Sequence, residues 1–143
     1  MKSDPLFDQL CSQIIACAIR VHDALGPGLL ESVYRDCLMM ELVAASLKVE
    51  MEVRVPIEYR GKRVRDDLRL DLLVEDCIVV EVKSADRIHP VHLAQVMTYL
   101  KLANKPAGLL LNFNVTSLRS GLRRLDHPEI YAERRAENAV RRF

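Results

Sequence analysis

Tryptophan is absent from this chain, and aromatic residues of any kind make up 5% of it. Any core it forms must therefore be aliphatic. The four cysteines, Cys11, Cys17, Cys37 and Cys77, include no CxxC pair, and no histidine stands at a metal-ligand offset from any of them. Each lies in an apolar stretch and reads as a small buried hydrophobe, which implies no disulfides and a reducing compartment. No apolar run approaches the roughly 20 residues of a membrane span, and Met1-Lys2-Ser3-Asp4-Pro5 does not open a signal peptide. The expectation is a soluble cytoplasmic protein with no membrane partner. A strong net charge is also missing. At +1, the total neither demands nor forbids nucleic acid. A mildly basic end, with Arg119, Arg123, Arg124, Arg134, Arg135, Arg141 and Arg142 against Asp126, Glu129, Glu133 and Glu137, follows a mildly acidic body. There is no internal repeat and no low-complexity segment.

What is present fits one domain of 143 residues, half of them hydrophobic. Leu6, Leu10, Ile14, Cys17, Val21 and Leu25 recur at helical spacing, and Gly26-Pro27-Gly28 ends that helix. A second amphipathic run carries Leu30, Val33, Cys37, Met40 and Ala44 on one face. From Val49 to Glu58 the period becomes two, as in a strand with one wet face. Gly61 marks a hairpin turn, Arg63 to Val74 reads as a second strand, and Ile78 to Lys83 as a third. Pro90 opens a helix that runs to about Asn104. Leu109 to Phe113 reads as a short buried strand, and Thr116 to Leu125 as a last short helix. The predicted fold is α/β: a mixed four-stranded sheet, made of a three-strand meander plus a fourth strand after a crossover helix, flanked by helices. Residues 1–127 form the domain. Residues 128–143 form a charged C-terminal tail, a solvated helix or partly disordered.

The chemistry concentrates in Asp71, Glu81 and Lys83. All three are embedded in runs that otherwise read as buried strand, where unpaired charge is expensive. Glu81 and Lys83 share a strand face. A two-residue loop at Glu75-Asp76 would leave Asp71 and Glu81 on opposite faces. A three-residue loop, Glu75-Asp76-Cys77, sets Asp71 opposite Glu81 and aligns Leu70, Leu72 and Val74 with Val82, Val80 and Ile78 on one apolar face. A one-residue slip would flip every side chain, so hydrophobic pattern and chemistry select the same register. Two adjacent carboxylates repel unless a proton or a cation lies between them. Hard oxygen ligands suit Mg²⁺ or Mn²⁺, which activate water and polarise phosphoryl oxygens. Metal-dependent phosphodiester hydrolysis is the reaction class that fits. The bland alternative, a surface hairpin with a Glu–Lys ion pair, is opposed by the flanking Val79, Val80 and Val82.

Other residues support this site with a structural role beside each. Glu31 lies in the first turn after Gly-Pro-Gly, where it either reaches the site or complements the helix dipole. Gly28 supplies a backbone conformation that other residues resist. Tyr34, one turn beyond Glu31, either holds Glu31 or packs with its hydroxyl satisfied. On the helix from Pro90, His92, Gln95 and Tyr99 form a polar stripe. Gln95 and Tyr99 are candidates for positioning the site or the substrate, and His92 more weakly so.

Asp71, followed across a hairpin by Glu81-Val82-Lys83, resembles the signature of the PD-(D/E)XK nuclease superfamily, with Leu70 in place of its variable proline. Gly28-Leu29-Leu30-Glu31-Ser32-Val33-Tyr34 resembles the GxxExxY motif that names a bacterial family within that superfamily. Pro90-Val91-His92, Gln95, Tyr99 and Leu109 to Phe113 are similar to that family's later segments, so the resemblance runs from Leu6 to Leu125. It implies a restriction-endonuclease-like core and a Mg²⁺- or Mn²⁺-dependent nuclease acting on DNA. In that reading Asp71, Glu81 and Lys83 are catalytic, Asp71 and Glu81 ligate the metal, and Glu31 is a further ligand. The rival readings are an inactive nuclease-fold module that binds nucleic acid or protein, and a structural homodimer formed through the segment Val49 to Arg63 or the tail.

Overall fold

The two stretches of helical periodicity become α1 (Pro5–Leu25) and α2 (Glu31–Ala44). The structure, a computed structural model, describes residues 5–130, so the tail beyond residue 130 lies outside the described residues. Helix α1 stops where Gly26 takes a left-handed φ of 68° and its N–H bonds the His22 carbonyl at 2.8 Å, a helix end that glycine permits without strain. Pro90 and Ala103 bound the third helix, α3 (Pro90–Ala103), which ends at Asn104 in the left-handed region.

The described residues form seven strands, in chain order β1 (Val49–Arg54), β2 (Ile57–Tyr59), β3 (Lys62–Arg65), β4 (Arg69–Val74), β5 (Ile78–Lys83), β6 (Ala107–Asn112) and β7 (Leu122–Asp126). Five of them form one mixed sheet in the order β1-β4-β5-β6-β7. Strands β5 and β6 are parallel and the other neighbours antiparallel, because α3 carries the chain back across the sheet between β5 and β6. On one face, α1 and α2 bury Ile14, Tyr34, Leu38 and Leu42 against Leu72, Val80, Leu109 and Leu111. On the other, α3 packs Val96, Tyr99 and Leu100 against Leu73, Val79 and Leu110. The α/β expectation holds, with a sheet between helical layers.

Several expectations need correction. The sheet has five strands, not four. Leu118, Leu122 and Leu125 stand at helical spacing, but only Leu118–Gly121 forms a single 3₁₀ turn, and Leu122–Asp126 becomes the edge strand β7. Strand β6 is buried along its whole length, and pairing with β7 satisfies an edge that would otherwise be open. The long strands read at 49–58 and 63–74 are each cut in two, with β2 and β3 forming a separate two-stranded ribbon. Helix α2 turns Tyr34, Leu38 and Leu42 inward, leaving Leu30 (74% exposed) and Met40 (70%) outside. The helix has two apolar stripes, and the sheet takes the bulkier one. Finally, Leu70 packs with the α3-side cluster rather than with Leu72 and Val74, because the strand alternation breaks at Asp71.

Gly121 marks where the 3₁₀ turn closes on the end of β6. A Cβ there would overlap the Asn112 carbonyl oxygen, a backbone atom that cannot move aside. Gly121→Ala is expected to lower stability by about 1–3 kcal/mol, the usual cost of overpacking. Thermal unfolding of the purified variant measures this, and an unchanged midpoint would contradict the packing.

Candidate active site

Strands β4 and β5 pair as Leu72↔Val80, Leu73↔Val79 and Val74↔Ile78, so the loop is Glu75-Asp76-Cys77, the three-residue register expected from the hydrophobic pattern. Glu75 and Asp76 both have a φ of 52°, and the Cys77 N–H bonds the Val74 carbonyl at 3.0 Å. One step further along that register Asp71 faces Glu81, and there side chains replace the backbone ladder. The Asp71 N–H donates to Glu81 Oε1 at 3.1 Å, and the Val82 N–H donates to Asp71 Oδ2 at 2.8 Å. The same irregularity shows on the other neighbour. Glu52, across from Asp71 in the β1–β4 register, has a φ of 54° and is skipped by the pairing.

Glu81 is 4% exposed. Burial, and then the neighbouring Asp71 carboxylate, push it up from the ordinary 4.5 to about 9. Holding that proton leaves Glu81 neutral beside Asp71. A proton therefore relieves the repulsion between the two groups.

Asp71 reaches a cleft of about 500 Å³, whose other walls are Leu29, Leu30, Glu31, Ser32, Arg35, Val82 and Ser84. Loop 26–30 forms one lip. Gly28 adopts a φ of 100°, the left-handed region that glycine enters readily. Tyr34, fully buried and stacked on Phe113 with ring centroids 4.6 Å apart, donates to the Gly26 carbonyl at 2.5 Å and accepts from the Leu29 N–H at 3.1 Å. Ser84 Oγ donates to the Leu29 carbonyl at 2.6 Å. Tyr34 thus holds the loop and makes no bond to Glu31. Glu31 stands exposed on the cleft wall.

On the other side of the sheet, Lys83 Nζ donates to Gln95 Oε1 at 3.3 Å, and Gln95 Nε2 donates to Tyr99 OH at 2.7 Å. Burial, and then Glu81, raise Tyr99 above its ordinary value, so the phenol stays protonated beside the carboxylate pair. His92 accepts the His89 N–H on Nδ1 at 3.2 Å, which leaves its proton on Nε2 when the ring is neutral. Loss of solvent, with Lys83 adding, lowers its affinity for a second proton. Arg35 and Ser84 were missed in the sequence. Arg35 carries a signal, since it lies four residues beyond Glu31 on the same helix face, and it ion-pairs Glu52 at 3.2 Å.

A family model described as the PD-(D/E)XK nuclease superfamily matches residues 8–125. The chain belongs to this superfamily. No curated protein and no solved structure matches significantly. As a PD-(D/E)XK protein it has a restriction-endonuclease-like α/β fold, and its family marks it as a metal-dependent nuclease, a phosphodiesterase that uses a divalent ion on nucleic acid. No helix of the described residues is long and apolar enough to cross a membrane.

The donor set can be tested against that ion. Asp71 and Glu81 supply hard oxygens whose mutual repulsion a cation would relieve in place of the proton. Among the described residues no three His, Cys, Asp or Glu side chains are gathered closely enough to hold a metal, so Glu31 does not complete a three-carboxylate cluster. Two carboxylates with water in the remaining positions is a coordination that Mg²⁺ accepts. The pair fits the ion.

The raised Glu81 also sets a stability profile. Its proton is bound more tightly folded than unfolded, so its contribution to stability is full below about pH 4.5 and is lost as the pH rises toward 9. Glu81→Gln keeps the neutral shape without the titration. In EDTA, its melting temperature is expected to exceed the wild type's by a margin that widens across this window. Parallel thermal melts at stepped pH measure that margin, and curves that stay parallel would refute the burial of Glu81.

Proposed function

We propose that this protein hydrolyses phosphodiester bonds of DNA with Mg²⁺ or Mn²⁺ held by Asp71 and Glu81, and that it is of the GxxExxY type within its superfamily. The observation that carries the reading is the reciprocal bonding of two carboxylates across the β4–β5 pair, one buried and one open to a cleft. Support for the GxxExxY type comes from Gly28 in its left-handed conformation, Glu31 on the cleft wall and Tyr34 fastening the loop between them. Among the described residues the cleft lining contains no aromatic side chain, which favours a paired backbone over splayed single-stranded bases that need stacking platforms.

The ion, when bound, supplies Lewis acidity and an activated water. The chain's own residues do the rest. Asp71 presents its carboxylate to the cleft, while Glu81 is fixed by the Asp71 N–H. Lys83, the last residue of β5, holds an ammonium that Gln95 aims. That ammonium approaches the carboxylate pair from the α3 side, next to Glu81, and in this reading it acts at the sheet end, orienting the attacking water and offsetting charge on the phosphoryl oxygens. Tyr99 keeps Gln95 in place. Glu31, across the cleft, is a further ligand only through an intervening water.

Plasmid DNA incubated with the protein and Mg²⁺ or Mn²⁺ is expected to be cleaved. Lys83→Ala should slow cleavage by about 10²–10³-fold, the usual loss when one preorganised charge is removed. Glu81→Ala should abolish both cleavage and calorimetric binding of the divalent ion. Equal cleavage by all three proteins would reject the proposal.

A further inference from the structure

The β2–β3 ribbon stands outside the five-stranded sheet and contributes almost nothing to either core. Every residue of β3 is exposed, Tyr59 is 69% exposed and Val64 59%. An isolated two-stranded hairpin is only marginally stable in water, so its side chains are not explained by packing. They are strongly basic. Over residues 57–65, Arg60, Lys62, Arg63 and Arg65 face the single carboxylate of Glu58, in a chain whose net charge is +1. Arg65 is held by Asp67. Arg60, Lys62 and Arg63 make no ion pair among the described residues.

A second observation lies at the root of the ribbon. Arg54 and Arg69 are direct cross-strand partners on β1 and β4, both exposed and neither in an ion pair among the described residues. Like charges placed opposite one another destabilise a sheet, and an anion bound between them removes that cost. Leu70 turns toward α3, so alternation sends Arg69 and Arg54 to the α2 face. The cleft with Asp71 and Arg35 opens on that same face. Arg69 precedes Asp71 by two residues, and Lys83 closes β5 at the same end of the sheet. Arg54 and Arg69 thus stand at the root of the ribbon, at the sheet end that carries Asp71.

We propose that the ribbon docks in the major groove of B-form duplex DNA, with Arg60, Lys62 and Arg63 on the flanking phosphates and Arg54 and Arg69 on the backbone entering the cleft. This rests on the reading of the cleft as a DNA-cleaving site. The major groove of B-DNA admits a two-stranded ribbon, whereas the A-form groove of duplex RNA is too deep and narrow. Arg60 and Gly61, both at positive φ, give the tight turn that lets the tip enter.

Fluorescence anisotropy in EDTA, over a salt series, tests this with labelled DNA and RNA duplexes of matched sequence. The wild type is compared with the Arg60→Ala/Lys62→Ala/Arg63→Ala variant, whose changes are all on the exposed ribbon, and with a variant carrying Arg60→Lys and Arg63→Lys. The triple variant is expected to bind DNA at least about tenfold more weakly and to lose about three from the slope of log K against log salt, near one per cation removed. The lysine variant should keep the slope. In Mg²⁺, the triple variant's KM should rise with kcat at saturating DNA unchanged. An unchanged slope in the triple variant, or duplex RNA bound as well as DNA and weakened equally, overturns the docking while Glu81-dependent cleavage by the wild type still stands. Absence of that cleavage overturns the underlying reading instead.

Discussion

Everything at this site depends on one local substitution in the sheet, where two carboxylates take the places of backbone partners between β4 and β5. Asp71 and Glu81 lie where a regular ladder would pair N–H with C=O, and each accepts an N–H from the opposite strand. That exchange fixes both side chains without a flexible arm. It also opens the sheet enough for Leu70 to pack on a different face from Leu72. The cost is visible in Glu81, a buried acid that retains its proton well above the ordinary carboxylate range. Such repulsion is what keeps a proton on the pair.

Around this exchange the fold supplies three supports. Loop 26–30 is held as one lip of the cleft by the hydroxyls of Tyr34 and Ser84. Helix α3 delivers Gln95 and Tyr99 in a hydrogen-bonded chain to Lys83. The parallel partner β6 ends at Asn112, a buried amide that bonds both the N–H and the carbonyl of Ala85 and so fixes the turn after Lys83. These contacts come from four separate elements. They converge because β5 is central, covered by α1 and α2 on one face and by α3 on the other.

Several features could be read from local pattern alone, and for physical reasons. Register in the β4–β5 hairpin followed from the apolar alternation of Leu72, Val74, Ile78 and Val80, since a slip of one residue would expose all of them. Helices α1 and α3 followed from their periodicity and from proline at their first turn. Helix α2 was read correctly as an element and wrongly as a face, because Leu30, Val33 and Met40 present a stripe as apolar as Tyr34, Leu38 and Leu42. Residues 116–125 read as a helix because Leu118, Leu122 and Leu125 have helical spacing, but 122–126 forms a strand. Nothing within it announces the vacant edge of β6 that makes it a strand.

The sequence by itself determined the α/β class, the meander followed by a crossover and a parallel strand, and the placing of Asp71, Glu81 and Lys83 at one strand pair. All of these rest on hydrophobic periodicity and turn chemistry, which act over a few residues. Tertiary structure alone decided which of two apolar stripes α2 buries, whether the last segment pairs as a strand, and that Asp71 opens to the cleft while Glu81 is sealed. It also decided that the 57–65 segment leaves the sheet as a separate charged ribbon. Each of those outcomes depends on which surface is free to receive a segment, and that is set by parts of the chain far away in sequence.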